Sequence, residues 1–302
     1  MSIEAAHNRT LCYDKGMISR IWIYLWETFK IPSRILLTLT NVLVVQLFIM
    51  RSVDTFTFVL GSSMLFFSLL YYRICDEFKD EKTDKIFFPK RPLPSGRVLK
   101  SDLRLLQVLC GLIMIGIALV QSEARVFAII LILDCLLMQF YFFVPKLMEK
   151  NRLIAFATHA PYAIVVNFYL LALHADMVKT QIFTLENMAL VSVLSLPGFH
   201  WEVIRKTFVR ERPGYQTYSS LLGYQGAILL SLVFFFPILI GLRILLEDNI
   251  FIPLVSIIII YCMHIWGLGL KEEEGLVSLR TKSELISTTI IICLLWQGYS
   301  LI

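Results

Sequence analysis

The sequence predicts an all-α, polytopic membrane protein, and three observations carry that prediction. Apolar residues fill 57% of the 302 positions and charged residues only 17%, whereas soluble domains are roughly a quarter charged. Mean hydropathy is +0.72. The apolar residues gather into about nine runs, each near the roughly 20 residues that cross a hydrocarbon core. They lie at about 33–50, 55–75, 101–121, 125–146, 153–174, 182–203, 219–242, 250–270 and 283–302. The seventh and eighth are the plainest, and the whole chain, 1–302, reads as one transmembrane domain.

Residues 1–32 precede the first run and contain no charged, apolar and small-residue triad of a cleaved signal peptide. Within them "MISRIWIYLWETFK" mixes Trp, Tyr, Arg and Lys with aliphatics. That composition predicts a helix lying in the headgroup layer and ending at Pro32. The six cysteines, Cys12, Cys75, Cys110, Cys135, Cys262 and Cys293, are scattered, with no CxxC and no Cys/His cluster of zinc spacing. They read as small buried apolar residues.

Basic residues orient the chain. If the N-terminal segment shares a side with the loops after runs two, four, six and eight, the opposite side holds only Arg51, Arg125, Lys179 and Arg243. The other 24 of the 28 Lys and Arg then lie on the first side, which is therefore cytoplasmic, in a cell (inner) membrane. The net charge of +5 follows from this topology and from anionic lipid. No basic patch interleaved with aromatics suggests a nucleic-acid groove.

Two polar stretches fall on the cytoplasmic side. The first, "RICDEFKDEKTDKIFFPKRPLPSG", spaces Asp76, Asp80 and Asp84 four apart. If run two continues as a helix past Arg73, the three carboxylates form a stripe on one face. Aligned carboxylates repel one another, and oxygen ligands without histidine or thiolate suit Mg²⁺. Lys90 and Arg91 follow before a Pro- and Gly-bearing turn that lets them fold back. Carboxylates that hold magnesium beside cations that hold phosphate oxygens make a diphosphate site. A solvated helix end is the plainer alternative, since Glu81 and Lys85 are an i,i+4 pair.

Asp-xxx-Asp-xxx-Asp after the second of nine runs, with Arg91-Pro92 seven residues beyond the last Asp, resembles the first aspartate motif of the UbiA superfamily of intramembrane prenyltransferases. The resemblance covers essentially the whole chain. It implies a helical bundle around a central cavity open to lipid, with Mg²⁺ on Asp76, Asp80 and Asp84. An isoprenyl diphosphate would be gripped there and its tail held in the cavity. Ionisation would give an allylic cation, stabilised by aromatics and captured by a small or lipophilic acceptor. Arg91 takes the family's diphosphate-binding position.

The second stretch, Phe199 to Gly223, departs from the family form. Gly214, Thr217 and Gly223 stand where that motif ends, but its aspartates are replaced by Glu202, Arg205, Lys206, Arg210, Glu211 and Arg212. Arg205 and Lys206 would then neutralise phosphate directly, with Glu202 or Glu211 supplying a remaining metal ligand. Glu202 and Lys206 are also i,i+4 partners, so an ion pair that serves only the fold stays open.

Inside the runs, Asp134 is a costly carboxylate and hence a candidate to shape the cavity or accept a proton. A protonated acid bonded to a neighbouring helix is the alternative. Tyr141, seven residues on, is expected on the same helix face, and Lys146 at the cytoplasmic end as a diphosphate contact. His159 and Asn167, eight apart, are expected to line the cavity, although a lone buried histidine is more often a packing residue. The leading reading is a magnesium-dependent prenyltransferase. A terpene cyclase on the same scaffold and a cation or lipid transporter are its rivals.

Overall fold

A computed structural model describes residues 16–122, 124–210, 214–246, 251–269 and 272–300. Helices account for the ordered elements, and no strand occurs among the described residues. The chain separates into two compact units, Met1–Leu39 with Val59–Phe143, and Thr40–Phe58 with Val144–Ile302.

The first unit opens with α1 (Met17–Tyr24), which runs into a π-type turn at Leu25–Phe29. Trp22 and Trp26 stack on its outer side at 6.0 Å, each 56% exposed, while Tyr24 and Phe29 are buried. This is the amphipathic split expected of an interfacial segment. The break lies at Lys30, in the left-handed region at φ 57°, rather than at Pro32. Pro32 instead sits in the first turn of α2 (Ile31–Met50), where its missing N–H has no intrahelical acceptor to lose.

Helix α3 (Thr55–Phe87) runs 33 residues without interruption, apolar at first and charged from Arg73 onward. Asp54 caps its start, its carboxylate accepting the Thr57 N–H at 2.8 Å. A turn follows, in which the Val98 N–H reaches Pro92 O at 3.1 Å and Gly96 takes φ 79°, a left-handed value that glycine adopts without steric cost. Helix α4 (Lys100–Leu119) then begins, and α5 (Arg125–Gln139) completes the unit. Helix α5 stops early because Tyr141, Phe142 and Phe143 all take positive φ, between 50° and 60°. The fourth apolar run is thus a 15-residue helix plus a tight reversal.

The second unit contains α6 (Pro145–Lys150), α7 (Arg152–His159), α8 (Pro161–Val178), α9 (Leu185–Arg205), α10 (Tyr218–Val233), α11 (Phe235–Leu246), α12 (Phe251–Gly267) and α13 (Glu273–Ser300). Helix α9 is its centre, packed on α8, α10, α11 and α13. The α9–α11 approach depends on Gly241, where a Cβ would lie 2.6 Å from a Val193 methyl and 3.1 Å from Ala189 O.

Among the described residues, five helices are long and apolar enough to cross a membrane: Ile31–Met50, Thr55–Phe87, Lys100–Leu119, Arg152–Val178 and Tyr218–Leu246. The helices follow the nine runs, and the other four runs do not meet that joint measure of length and apolarity among the described residues. Helices α5 and α12 have 15 and 17 residues. Helix α9 carries Glu186, Asn187, His200, Glu202 and Arg205, and α13 mixes Ser, Thr and Gln with its aliphatics.

Asp102 ties α1 to α4. Its carboxylate accepts two bonds from the Arg20 guanidinium, 2.7 and 2.9 Å, and the Leu99 N–H at 3.0 Å, while its side chain is 2% exposed. Replacing it with Ala strands a largely buried guanidinium. Asp102→Ala should therefore destabilise the protein by about 3 kcal/mol in denaturant titration in mixed micelles. Restoring an apolar pair with Arg20→Met on Asp102→Leu should recover part of the loss.

Candidate functional site

The uninterrupted α3 carries Asp76, Asp80 and Asp84 onto one face beyond its apolar section. Each meets a different neighbourhood. Asp76 pairs with Lys79 at 2.8 Å, and Asp84, nearly buried, with Arg91 at 2.6 Å. Asp80 is half-buried, and among the described residues no cation lies within ion-pair distance of it. Arg91 does fold back over the helix end, its guanidinium 4.0 Å above the Phe88 ring. Glu81 joins Lys85 at 2.9 Å and also Lys100, so this part of the stretch is a structural ion-pair network.

Sequence reading missed two members of this end. Glu77 is 2% exposed and pairs with Arg73 at 2.5 Å, and the charges of Arg91 and Asp84 act on it. Tyr24 is fully buried, with Arg73, Glu77 and Asp76 acting on its phenol. The Glu27 carboxylate accepts two bonds from Arg97, at 2.6 and 2.7 Å, and so ties the segment bearing Tyr24 to the turn after α3. Hydrogen bonding from that guanidinium holds the Glu27 carboxyl below the usual carboxylate range. Glu77 was hidden by its place between the aspartates, and Tyr24 by its distance in sequence.

One helical turn deeper, α3, α4 and α5 border an open-sided cavity of about 280 Å³ lined by Tyr71, Gln107, Gly111, Met114, Cys135 and Gln139, among others. Its wall is mainly apolar. The polar groups bond to one another, Tyr71 OH to the Gln139 carbonyl and Gln107 Nε2 to Cys75 Sγ at 3.0 Å. Such a lining suits hydrocarbon.

No group of three or more His, Cys, Asp or Glu side chains converges to hold an ion among the described residues. The α3 end is therefore no ready cage. Mg²⁺, however, usually takes one or two carboxylates and completes its shell with water and phosphate oxygens. Asp80, with no cation at ion-pair distance among the described residues, and Asp76, paired with Lys79, fit that donor set.

The second polar stretch builds a cluster of its own at the C-terminal end of α9. Glu202 Oε2 accepts from Arg205 Nε at 2.7 Å, and its Oε1 lies 2.6 Å from Lys206 Nζ. The carboxylate is thus occupied by two cations rather than presented to a metal. Arg280 of α13 donates to Ile204 O at 3.1 Å and to Thr207 O, capping the last carbonyls of α9 and fixing where the cluster sits. Thr217 caps α10 through the Ser220 N–H at 3.0 Å, and Gly223 takes φ 71° inside it. Glu211 lies outside the described residues.

The remaining candidates are dispersed. Asp134 is buried in α5 beside Tyr72 of α3. Tyr141 does not share its helix face, because α5 ends at Gln139 and the chain reverses at Tyr141. Lys146 is exposed on α6. His159 donates from Nδ1 to Ala155 O at 2.6 Å, and Asn167 bonds Ala163 O at 2.8 Å and Ser195 Oγ at 3.1 Å. The Asn167 carboxamide joins α8 to α9, a packing role.

No family model and no curated protein sequence matches the chain. A solved structure described as digeranylgeranylglyceryl phosphate synthase in membranes has the same fold, with a TM-score of 0.62 and 14% identity over 93% of this chain and 99% of that one. The helical membrane fold implied by the resemblance in sequence is therefore the fold of this protein.

Burial and the neighbouring cations Arg205 and Arg152 push the Lys206 ammonium down to about 8, against the opposing pull of Glu202. An unfolded lysine titrates near 10.4. Between these values the unfolded chain binds more protons than the native one, so stability rises with pH there. The melting temperature of the wild type, relative to Lys206→Gln, should climb from about pH 8 to about pH 10. A pH-independent difference would contradict the assignment.

Proposed function

We propose that this protein is a magnesium-dependent membrane prenyltransferase, moving an isoprenyl group from its diphosphate to a small or lipophilic acceptor. The observation that carries the reading is the charged end of α3, where Asp80, between two ion-paired aspartates, has no cation at ion-pair distance among the described residues. The fold shared with a protein described as digeranylgeranylglyceryl phosphate synthase supports the same class.

In this reading Asp80 and Asp76 hold the ion, with Asp84 orienting Arg91 toward a diphosphate oxygen. Bound magnesium would supply charge stabilisation for the departing diphosphate. Arg205 and Lys206 are assigned to phosphate by their charge, and Lys146 is a weaker candidate because it is exposed on a short helix. The apolar cavity beside α3 suits part of an isoprenoid tail and keeps water from it. Asp134, buried beside Tyr72, is the proton acceptor to test once an acceptor substrate is in hand.

Purified protein in nanodiscs, given geranylgeranyl diphosphate, magnesium and membrane lipid extract as acceptor source, should release diphosphate. Asp80→Asn should lower that rate roughly 100-fold or more while leaving the melting temperature unchanged. Equal rates in the two proteins would overturn the role of Asp80. A cyclic hydrocarbon formed without acceptor would place the chemistry with cyclases instead.

A further inference from the structure

The cluster at the end of α9 is larger than its sequence suggests, and among the described residues its charges do not balance. Arg152, at the start of α7, donates from Nη2 to Gln216 O at 3.0 Å. The Tyr218 N–H in turn donates to Lys206 O at 3.1 Å. These two bonds draw three segments together: the start of α7, the end of α9 and the turn into α10. Arg152 and Arg205 both act electrostatically on Lys206, and Glu202, Arg152 and Arg205 act on Tyr218. Among the described residues, three cations thus face one carboxylate, Glu202, which already serves Arg205 and Lys206.

Two donors at this place have no acceptor. Arg152 Nε is buried without a hydrogen-bond partner, and so is the hydroxyl of Tyr218, a residue with 0% exposure. A buried donor without a partner costs about 1–3 kcal/mol, and more when it is charged. Crowded cations raise that cost. Both deficits have the same remedy, an anion with several acceptor oxygens. Guanidinium forks and an ammonium group match phosphate in geometry and charge.

We infer that Arg152, Arg205, Lys206 and Tyr218 form a phosphate-binding site that works without a metal ion, taking a phosphate monoester or diphosphate group. Glu202 is its positioning residue, holding Arg205 and Lys206 in place. Arg280, by capping α9, fixes the backbone from which they project. Arg152 and Tyr218 are new to the site. The diphosphate of an isoprenoid as natural ligand rests on the function proposed above, but the site itself does not. A phospholipid headgroup offers the same chemistry, and the test separates the two.

The probe is inorganic diphosphate, titrated calorimetrically into the full-length protein in detergent with a metal chelator present. Saturable binding is expected in the wild type. Arg152→Gln and Lys206→Gln should each weaken it roughly tenfold or more, and Tyr218→Phe by roughly threefold. Lys206→Arg should bind like the wild type, which guards against reading misfolding as lost contact. Asp80→Asn should also bind like the wild type under chelator while losing turnover, so this inference and the proposed function can fail separately.

Phosphatidic acid in the micelles, if it displaces the probe, identifies a lipid headgroup as occupant. Displacement by geranylgeranyl diphosphate alone identifies the prenyl donor. Binding that needs magnesium would overturn the inference. So would Arg152→Gln and Lys206→Gln proteins that melt and bind as the wild type does.

Discussion

Charge at the edge of a hydrocarbon phase is expensive, and this chain meets that cost by holding buried carboxylates against cations. Asp102 holds Arg20, Glu77 holds Arg73, Asp84 holds Arg91, and Glu202 holds both Arg205 and Lys206. These pairs are what allow α3 and α9 to continue from apolar surroundings into charged ends without breaking. Among the described residues, Asp80 has no cation within ion-pair distance, and Arg152, Arg205 and Lys206 gather around Glu202.

The two ends are built differently. The α3 end is rigid because a single helix sets the spacing of its carboxylates and because α1 and its π-type turn are locked to the same region by Asp102 and Glu27. The α9 end is assembled from three segments by hydrogen bonds to backbone carbonyls, from the Arg152 side chain and the Tyr218 N–H, with Arg280 reaching from α13 to the end of α9. Loss of a side chain at α3 would therefore change local charge, whereas loss at α9 would also loosen the segments that meet there.

Much of this was legible in the sequence because it depends on local periodicity. The four-residue spacing of Asp76, Asp80 and Asp84 required only that α3 continue, and it does. Arg91 is near in chain and folds back as the prolines and Gly96 suggest. What escaped reading depends on tertiary contact or on backbone reversal. No periodicity announces that Tyr141 to Phe143 adopt positive φ, so the face shared by Asp134 and Tyr141 was an inference from a helix that ends too soon. Arg152 and Tyr218 lie 54 and 12 positions from Lys206, and only the fold brings them near it. The apolar runs located the helices well, and among the described residues five helices are both long and apolar enough to span.

The central claim is that the α3 end binds a diphosphate through a divalent ion, and equilibrium binding tests it most directly. Geranylgeranyl diphosphate should bind the wild-type protein in nanodiscs much more tightly with magnesium than with a chelator. Equal affinity in the two conditions would contradict the claim and leave the acidic stripe of α3 as a solvated helix end.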